Sequence, residues 1–148
     1  MKALLCDSGP LIATYVRDDT HHDRCIRLLA AWSGKLLIPE PVLGETCNFL
    51  RNNVRSGAAL EARFLEALTS GSGDFEIVNP TGEDRARATW LVRRLVAAPL
   101  GYVDATIIAM AENLKITDVA TTDLKFVGVA HGVTRIRPLA WPFQDSDA

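Results

Sequence analysis

Apolar runs and amphipathic stripes alternate along this chain. The first run, Lys2-Ala3-Leu4-Leu5-Cys6, stops at a carboxylate, Asp7, and is followed by Ser8-Gly9-Pro10. An unbroken apolar run is the pattern of a strand covered on both faces. Ser8 is expected to cap a helix with Pro10 in its first turn, and Leu11, Ile12, Tyr15 and Val16 form its apolar face. After Arg17-Asp18-Asp19, a helix is predicted from Thr20 to about Ser33, with Cys25, Leu28, Leu29 and Trp32 at three-to-four spacing. Gly34 stops it. Lys35–Ile38 reads as a second strand ended by Pro39.

A wide apolar face of Val42, Leu43, Thr46, Cys47, Phe49 and Leu50 predicts a helix from about Pro41 to Asn53. Ser56-Gly57 breaks it, and Ala58 to Leu68 forms another helix. Phe75–Val78 reads as a third strand. Thr81 is a cap-like residue with Glu83 and Asp84 in the first turn behind it, and that helix is expected to run to about Ala98, before Pro99. Tyr102–Leu114 is the most apolar helix. Asp118–Asp123 reads as a fourth strand ending in an acid, Phe126–Val129 as a connector, and Val133–Leu139 as an edge strand. Strands alternating with helices predict an α/β fold: one domain over residues 1–142, with a mainly parallel central sheet of four to five strands and helices on both faces. Residues 143–148 read as a polar C-terminal tail.

Composition narrows this picture without changing it. The 148 residues suffice for one domain with a real core, and 48% hydrophobic with 23% charged residues is ordinary globular usage. A net charge of -2 argues against a basic, nonspecific coat for DNA, yet leaves room for a local basic rim. Cys6, Cys25 and Cys47 are odd in number and lack CxxC spacing, so they are expected as reduced, buried thiols of a cytoplasmic protein. Asp7 cuts the first apolar run too early for a signal peptide, and no run is long enough to span a bilayer, so no membrane partner is expected.

Four acids stand out against this frame. Asp7 and Asp123 each follow a strand and could be turn or cap residues. Asp104 shares a helix face with Ile107, Ile108 and Ala111, where a buried carboxylate is costly unless it is paired or metal-bound. Glu45 lies among apolar residues on its helix. In open α/β sheets the ligand crevice lies outside the carboxyl ends of the strands. Asp7, Glu45, Asp104 and Asp123 are therefore expected to converge there and hold a divalent metal. Oxygen ligands favour Mg²⁺ or Mn²⁺, and a water on such an ion can attack a phosphodiester.

The ordered set Leu5-Cys6-Asp7-Ser8, Leu43-Gly44-Glu45, Val103-Asp104-Ala105 and Thr121-Thr122-Asp123 with Phe126 resembles that of PIN-domain ribonucleases, most of all the VapC toxins of type II toxin–antitoxin pairs. The likeness spans almost the whole chain. It implies a metal-dependent endoribonuclease acting on single-stranded or loop RNA. Asp7 and Asp104 would be primary metal ligands, Glu45 and Asp123 would complete the cluster directly or through water, and Ser8 and Thr121 would orient carboxylates. It also implies a homodimer and a cognate VapB-like antitoxin occupying the groove.

Other residues invite weaker readings. His21-His22 with Cys25 lacks a second ligand pair, so zinc is not expected, and His131 is isolated in a Gly-flanked connector. Arg51, Arg55, Arg85, Arg87, Arg93, Arg94 and Lys125 are either a solvated face or a phosphate-binding rim. Trp32 and Trp90 could stack on bases, but their helical spacing makes them core residues first. Other assignments compete with this nuclease. The first two are a catalytically silent PIN-like scaffold that binds RNA or protein, and a non-toxin RNA-processing nuclease. The third, a phospho-acceptor receiver, needs an acid pair after the first strand and an acceptor Asp after the third, which Asp7-Ser8 and Ile77-Val78-Asn79 do not supply. A haloacid dehalogenase-type phosphatase would need Asp where Gly9 stands.

Overall fold

The computed structural model describes residues 2–70 and 73–138. Five strands, β1 (Ala3–Cys6), β2 (Lys35–Pro39), β3 (Phe75–Val78), β4 (Asp118–Ala120) and β5 (Arg137–Pro138), form one parallel sheet in the order β3-β2-β1-β4-β5. Between them run α1 (Ser8–Tyr15), α2 (His22–Ala31), α3 (Glu40–Asn53), α4 (Gly57–Thr69), α5 (Gly82–Arg94), α6 (Tyr102–Leu114) and α7 (Leu124–Val133). Leu4 and Leu5 are both fully buried. Successive strand residues point to opposite faces, so both faces of β1 are covered, as its unbroken apolar run requires. Val119 and Ala120 give the same result for β4.

The chain winds outward from β1 to β2 and β3, then crosses back to β4 and β5. Strand order therefore reverses between β1 and β4, where a ligand crevice opens in folds of this kind. Leu5 lies level with Leu37 on one side and Val119 on the other. The Asp7 amide donates to the Ala120 carbonyl at 2.9 Å, which carries the β1–β4 register one residue past the strand end. Away from the crevice, Phe64 of α4 meets Tyr15 of α1 edge-on, with ring centroids 5.5 Å apart. Gly34 has a tighter reason to be glycine than stopping a helix. A Cβ there would lie 1.7 Å from the Lys2 carbonyl oxygen, which accepts the Lys35 amide at the start of the β1–β2 pair.

Several elements depart from the sequence-based expectation. Asp7, not Ser8, caps α1, its side chain accepting the Ser8 amide. Helix α2 starts at His22 rather than Thr20, because the Asp19 carboxylate takes the His21 amide and builds a turn first. Helix α5 ends at Arg94 instead of Ala98: tight turns over Leu95–Leu100 bring Leu100 into the core. Strand β4 stops at Ala120, and the expected connector at Phe126–Val129 lies within α7, which also carries His131. Trp90 is not a core residue but 51% exposed. Strand β5 covers two residues; Leu139 and the polar tail lie outside the described residues.

The cysteines are free, with Cys6 and Cys25 buried and Cys47 half-buried. Burial pushes the Cys25 thiol up to about 12 and Cys6 higher still, so neither is a ready nucleophile. Among the described residues no helix is long and apolar enough to cross a membrane.

Candidate active site

Asp7 is the fixed point of the crevice. It ends the central strand, is 5% exposed, and both its carboxylate oxygens are held. Oδ1 accepts the Ser8 amide at 2.8 Å, and Oδ2 accepts the Thr121 hydroxyl at 2.8 Å. Thr121 is fully buried and its Oγ1 also accepts the Asp123 amide at 3.1 Å. One hydroxyl thus ties the end of β1 to the turn after β4. This also explains why β4 is short: the Thr121 side chain engages the backbone locally, in competition with the ladder.

Asp104 sits in the first turn of α6, three residues after its N-cap, Gly101. The Gly101 backbone bonds its carboxyl, where a glycine cap offers no side chain in return. The next seven residues, Ala105–Ala111, are all buried, and Asp104 is half-buried at their edge. Glu45 lies on the exposed side of α3, where its Oε1 accepts the Ser8 hydroxyl. Asp123 is exposed and caps α7, its Oδ1 accepting the Lys125 amide at 3.0 Å and the Phe126 amide at 3.2 Å.

The four acids feel one another. Burial is the main force raising Asp7 to about 6, with Glu45 and Asp123 adding to it and the Thr121 and Ser8 bonds opposing it. Burial likewise leads in raising Asp104 to about 7, reinforced by Asp7, Asp123 and Glu45 and opposed by the Gly101 bond. Carboxylates delivered by β1, α3, α6 and the β4–α7 turn therefore share one electrostatic neighbourhood. Such a cluster carries surplus negative charge that a cation would relieve. Their hard oxygen donors fit Mg²⁺ or Mn²⁺. Among the described residues, however, no three His, Cys, Asp or Glu side chains are gathered closely enough to enclose an ion as they stand. Mg²⁺ is commonly held by one or two carboxylates with water filling the rest of its shell, so a closed trio is not a condition for the ion to fit.

A family profile for the PIN domain matches residues 4–132. The chain belongs to the PIN-domain family. No curated protein sequence matches the chain. Solved structures with this PIN fold include VapC20 of Mycobacterium tuberculosis, a sarcin-ricin loop cleaving toxin, at 23% identity and a TM-score of 0.75, covering 91% of this chain and 99% of that one. A toxin–antitoxin complex from Klebsiella pneumoniae matches at 21% identity and 0.63, over 85% and 92% of the two chains. FitAcB from Neisseria gonorrhoeae matches at 14% and 0.64, over 91% and 95%. At these identities the likeness is one of fold.

Sequence reasoning missed two parts of this PIN crevice. One is the Gly101 backbone contact to Asp104, whose signal was an acid three residues after a glycine at a helix start. The other is the close passage of α1 against the β4–α7 turn: a Cβ on Gly9 would lie 2.3 Å from the Thr122 hydroxyl. No local pattern announces that contact. Outside the crevice, one ring nitrogen of His22 bonds the Ala13 carbonyl at 2.6 Å and Cys25 is buried. Arg51 pairs with Glu61 at 2.6 Å and Arg87 with Glu112 at 3.2 Å.

Proposed function

We propose that this PIN domain is a Mg²⁺- or Mn²⁺-dependent endoribonuclease that hydrolyses phosphodiester bonds in RNA, and that it is the toxin of a toxin–antitoxin pair. Its main support is that Asp7, Glu45, Asp104 and Asp123 lie near enough to one another, beside the sheet's order reversal, to add to the upward push on the two inner carboxyls. In this assignment Asp7 and Asp104 hold the ion from rigid elements, while Glu45 and Asp123 complete the set directly or through water. When bound, the ion supplies an activated water and neutralises charge building on the phosphate. Ser8 holds the Glu45 carboxylate through its hydroxyl at the start of α1, and Thr121 fixes the plane of the Asp7 carboxylate. Orienting contacts of this kind tune ligands strongly.

A cytoplasmic location, a homodimer and a cognate VapB-like antitoxin belong to the same proposal. Their support is that VapC20 is a toxin and that the Klebsiella structure is a toxin–antitoxin complex. Purified protein should cut RNA with Mg²⁺ or Mn²⁺ and stop when EDTA is added. Asp7→Asn and Asp104→Asn should each abolish cutting; undiminished cleavage by both variants would refute the assignment. One observation favours a second assignment, a scaffold that binds without cutting: the acids are not closed on a common point. Calorimetric titration with Mn²⁺ separates the two, because a scaffold lacking the site shows no binding that Asp7→Asn removes.

A further inference from the structure

Trp90 lies on the outer side of α5 and is 51% exposed. The buried stripe of that helix, Asp84, Ala88 and Leu91, faces elsewhere. A lone exposed aromatic is ordinary on a protein surface; what marks this one is the set of groups around it. Its surroundings are basic. The guanidinium of Arg87 lies 5.0 Å from the ring centroid and that of Arg94 5.6 Å. A cavity of about 530 Å³ opens beside the ring, lined by Ala86, Thr89, Trp90, Arg93 and Arg94. The arginines differ in how they are held. Arg87 is anchored to Glu112 of α6 at 3.2 Å, whereas Arg94 is exposed and leans on the indole. The acids of this helix do not cancel the patch. Asp84 is buried in the capping box with Thr81, and Glu83 lies at the far N-terminal end.

We propose that this face of α5 is an accessory binding site for single-stranded RNA, in which a base stacks on Trp90 and the adjoining phosphates meet Arg93 and Arg94. A flat aromatic beside arginines on a chain of net charge -2 matches a ligand that is itself flat rings on a polyanion. The incoming base takes the ring surface on which Arg94 rests, and the released guanidinium turns to phosphate. Arg87, tied to Glu112, stays and keeps the indole in position. Stacking accepts every base, so the site adds affinity and length of contact rather than sequence choice. This deepens the nuclease assignment and rests on it for the identity of the ligand, but the site lies on α5, which carries none of the four acids.

The test is fluorescence anisotropy of the full chain with a labelled single-stranded RNA in EDTA, so that nothing is cut. Trp90→Ala should weaken binding about tenfold and Trp90→Phe much less. Arg94→Gln should lower the slope of log affinity against log salt by about one. A duplex of the same sequence, whose bases are already stacked, should bind equally well to the native chain and to Trp90→Ala. Equal single-strand affinity and salt slope in native and Trp90→Ala protein would overturn the proposal, as would the same loss for duplex as for single strand. So would a Trp90→Ala protein that only changes oligomeric state by light scattering while its RNA affinity is kept, since the face would then be a contact between copies. Failure here is separable from failure of the nuclease assignment. Trp90-dependent binding without cleavage under any metal removes the nuclease alone; cleavage with Trp90-independent binding removes this site alone.

Discussion

The four acids fall into two pairs with different physics. Asp7 and Asp104 stand at the ends of buried elements, are held by backbone donors, and have carboxyls raised chiefly by burial. Glu45 and Asp123 stand in water, one steadied by the Ser8 hydroxyl and the other spent on capping α7. Asp7 is fixed by the end of β1 and Asp104 by the first turn of α6; Glu45 can turn at the cost of its Ser8 bond, and Asp123 at the cost of its two cap bonds to α7. A site built this way has two fixed oxygen donors and two adjustable ones. In the proposed nuclease the fixed ones would set where an ion sits, and the adjustable ones would complete its shell directly or through water.

The largest break in that comparison is to remove inner and outer charges separately. Asp7→Asn or Asp104→Asn should lower RNA cleavage by more than about a hundredfold, the scale of losing a central electrostatic group. Glu45→Gln should cost about tenfold, as an orienting or water-bridged group does. Single-turnover cleavage rates measure both. Equal losses for Asp7→Asn and Glu45→Gln would erase the distinction between the pairs.

Stability should separate the pairs next. A carboxyl whose folded value lies above its unfolded value of about 3.9 makes the fold bind more protons than the unfolded chain. Its stabilising contribution is complete below that unfolded value and is lost as pH rises through the folded one. For Asp7 and Asp104 the window runs from about 4 up to about 6 and about 7. In EDTA the melting temperature should therefore fall by several degrees across that window, and Mn²⁺ should restore it at the upper end. Asp7→Asn should flatten the profile and melt above the native protein at pH 8, inactive yet more stable. A native melting temperature that stays flat from pH 4 to 8 in EDTA would show that the inner carboxyls carry no such strain.

How far this arrangement could be read from the chain depends on whether its cause is local. Lys2–Cys6 and Lys35–Ile38 read as strands because apolar continuity between breakers is a local signal, Phe75–Val78 did so through weak alternation, and the unbroken apolar content of Tyr102–Leu114 gave that helix its true limits. Asp7 could be placed because a carboxylate closing a buried run has few places to go. Asp123 was expected to close β4, but β4 stops at Ala120 and Asp123 caps α7 instead. Thr121-Thr122 is β-branched and prolongs the strand pattern, whereas the structure gives the Thr121 hydroxyl to Asp7, a partner 114 positions away. Phe126–Val129 lies within α7, the helix that Asp123 caps. Trp90 was misread despite a legible clue: with Ala88 and Leu91 facing the core, helical geometry rotates residue 90 off the buried stripe.

The hydroxyl of Thr121 is the link between the two pairs, so it offers the next test. Thr121→Val keeps the shape and removes both its gift to Asp7 and its acceptor for the Asp123 amide. Leaving a buried carboxylate oxygen without its donor costs about 1–3 kcal/mol, readable by urea denaturation. Cleavage should fall about tenfold as the Asp7 plane loosens. Thr121→Ser, which restores the hydroxyl, should recover most of the rate. If Val and Ser behave alike, the bond to Asp7 is incidental to the site.

The smallest effect concerns Asp123, whose two jobs can be pulled apart. Its carboxylate caps α7 through the Lys125 and Phe126 amides and also contributes negative charge toward Asp7 and Asp104. Asn caps as well as Asp. Asp123→Asn should therefore leave stability within about 0.5 kcal/mol while reducing cleavage severalfold and relaxing the upward push on the inner carboxyls. Asp123→Ala loses the cap as well and should cost about 1 kcal/mol more. Chemical denaturation and cleavage rates on the two variants form the comparison. If Asn and Ala lose the same stability, Asp123 does not hold α7 through its side chain; if Asn keeps full activity, its charge has no part in the crevice and the outer pair reduces to Glu45.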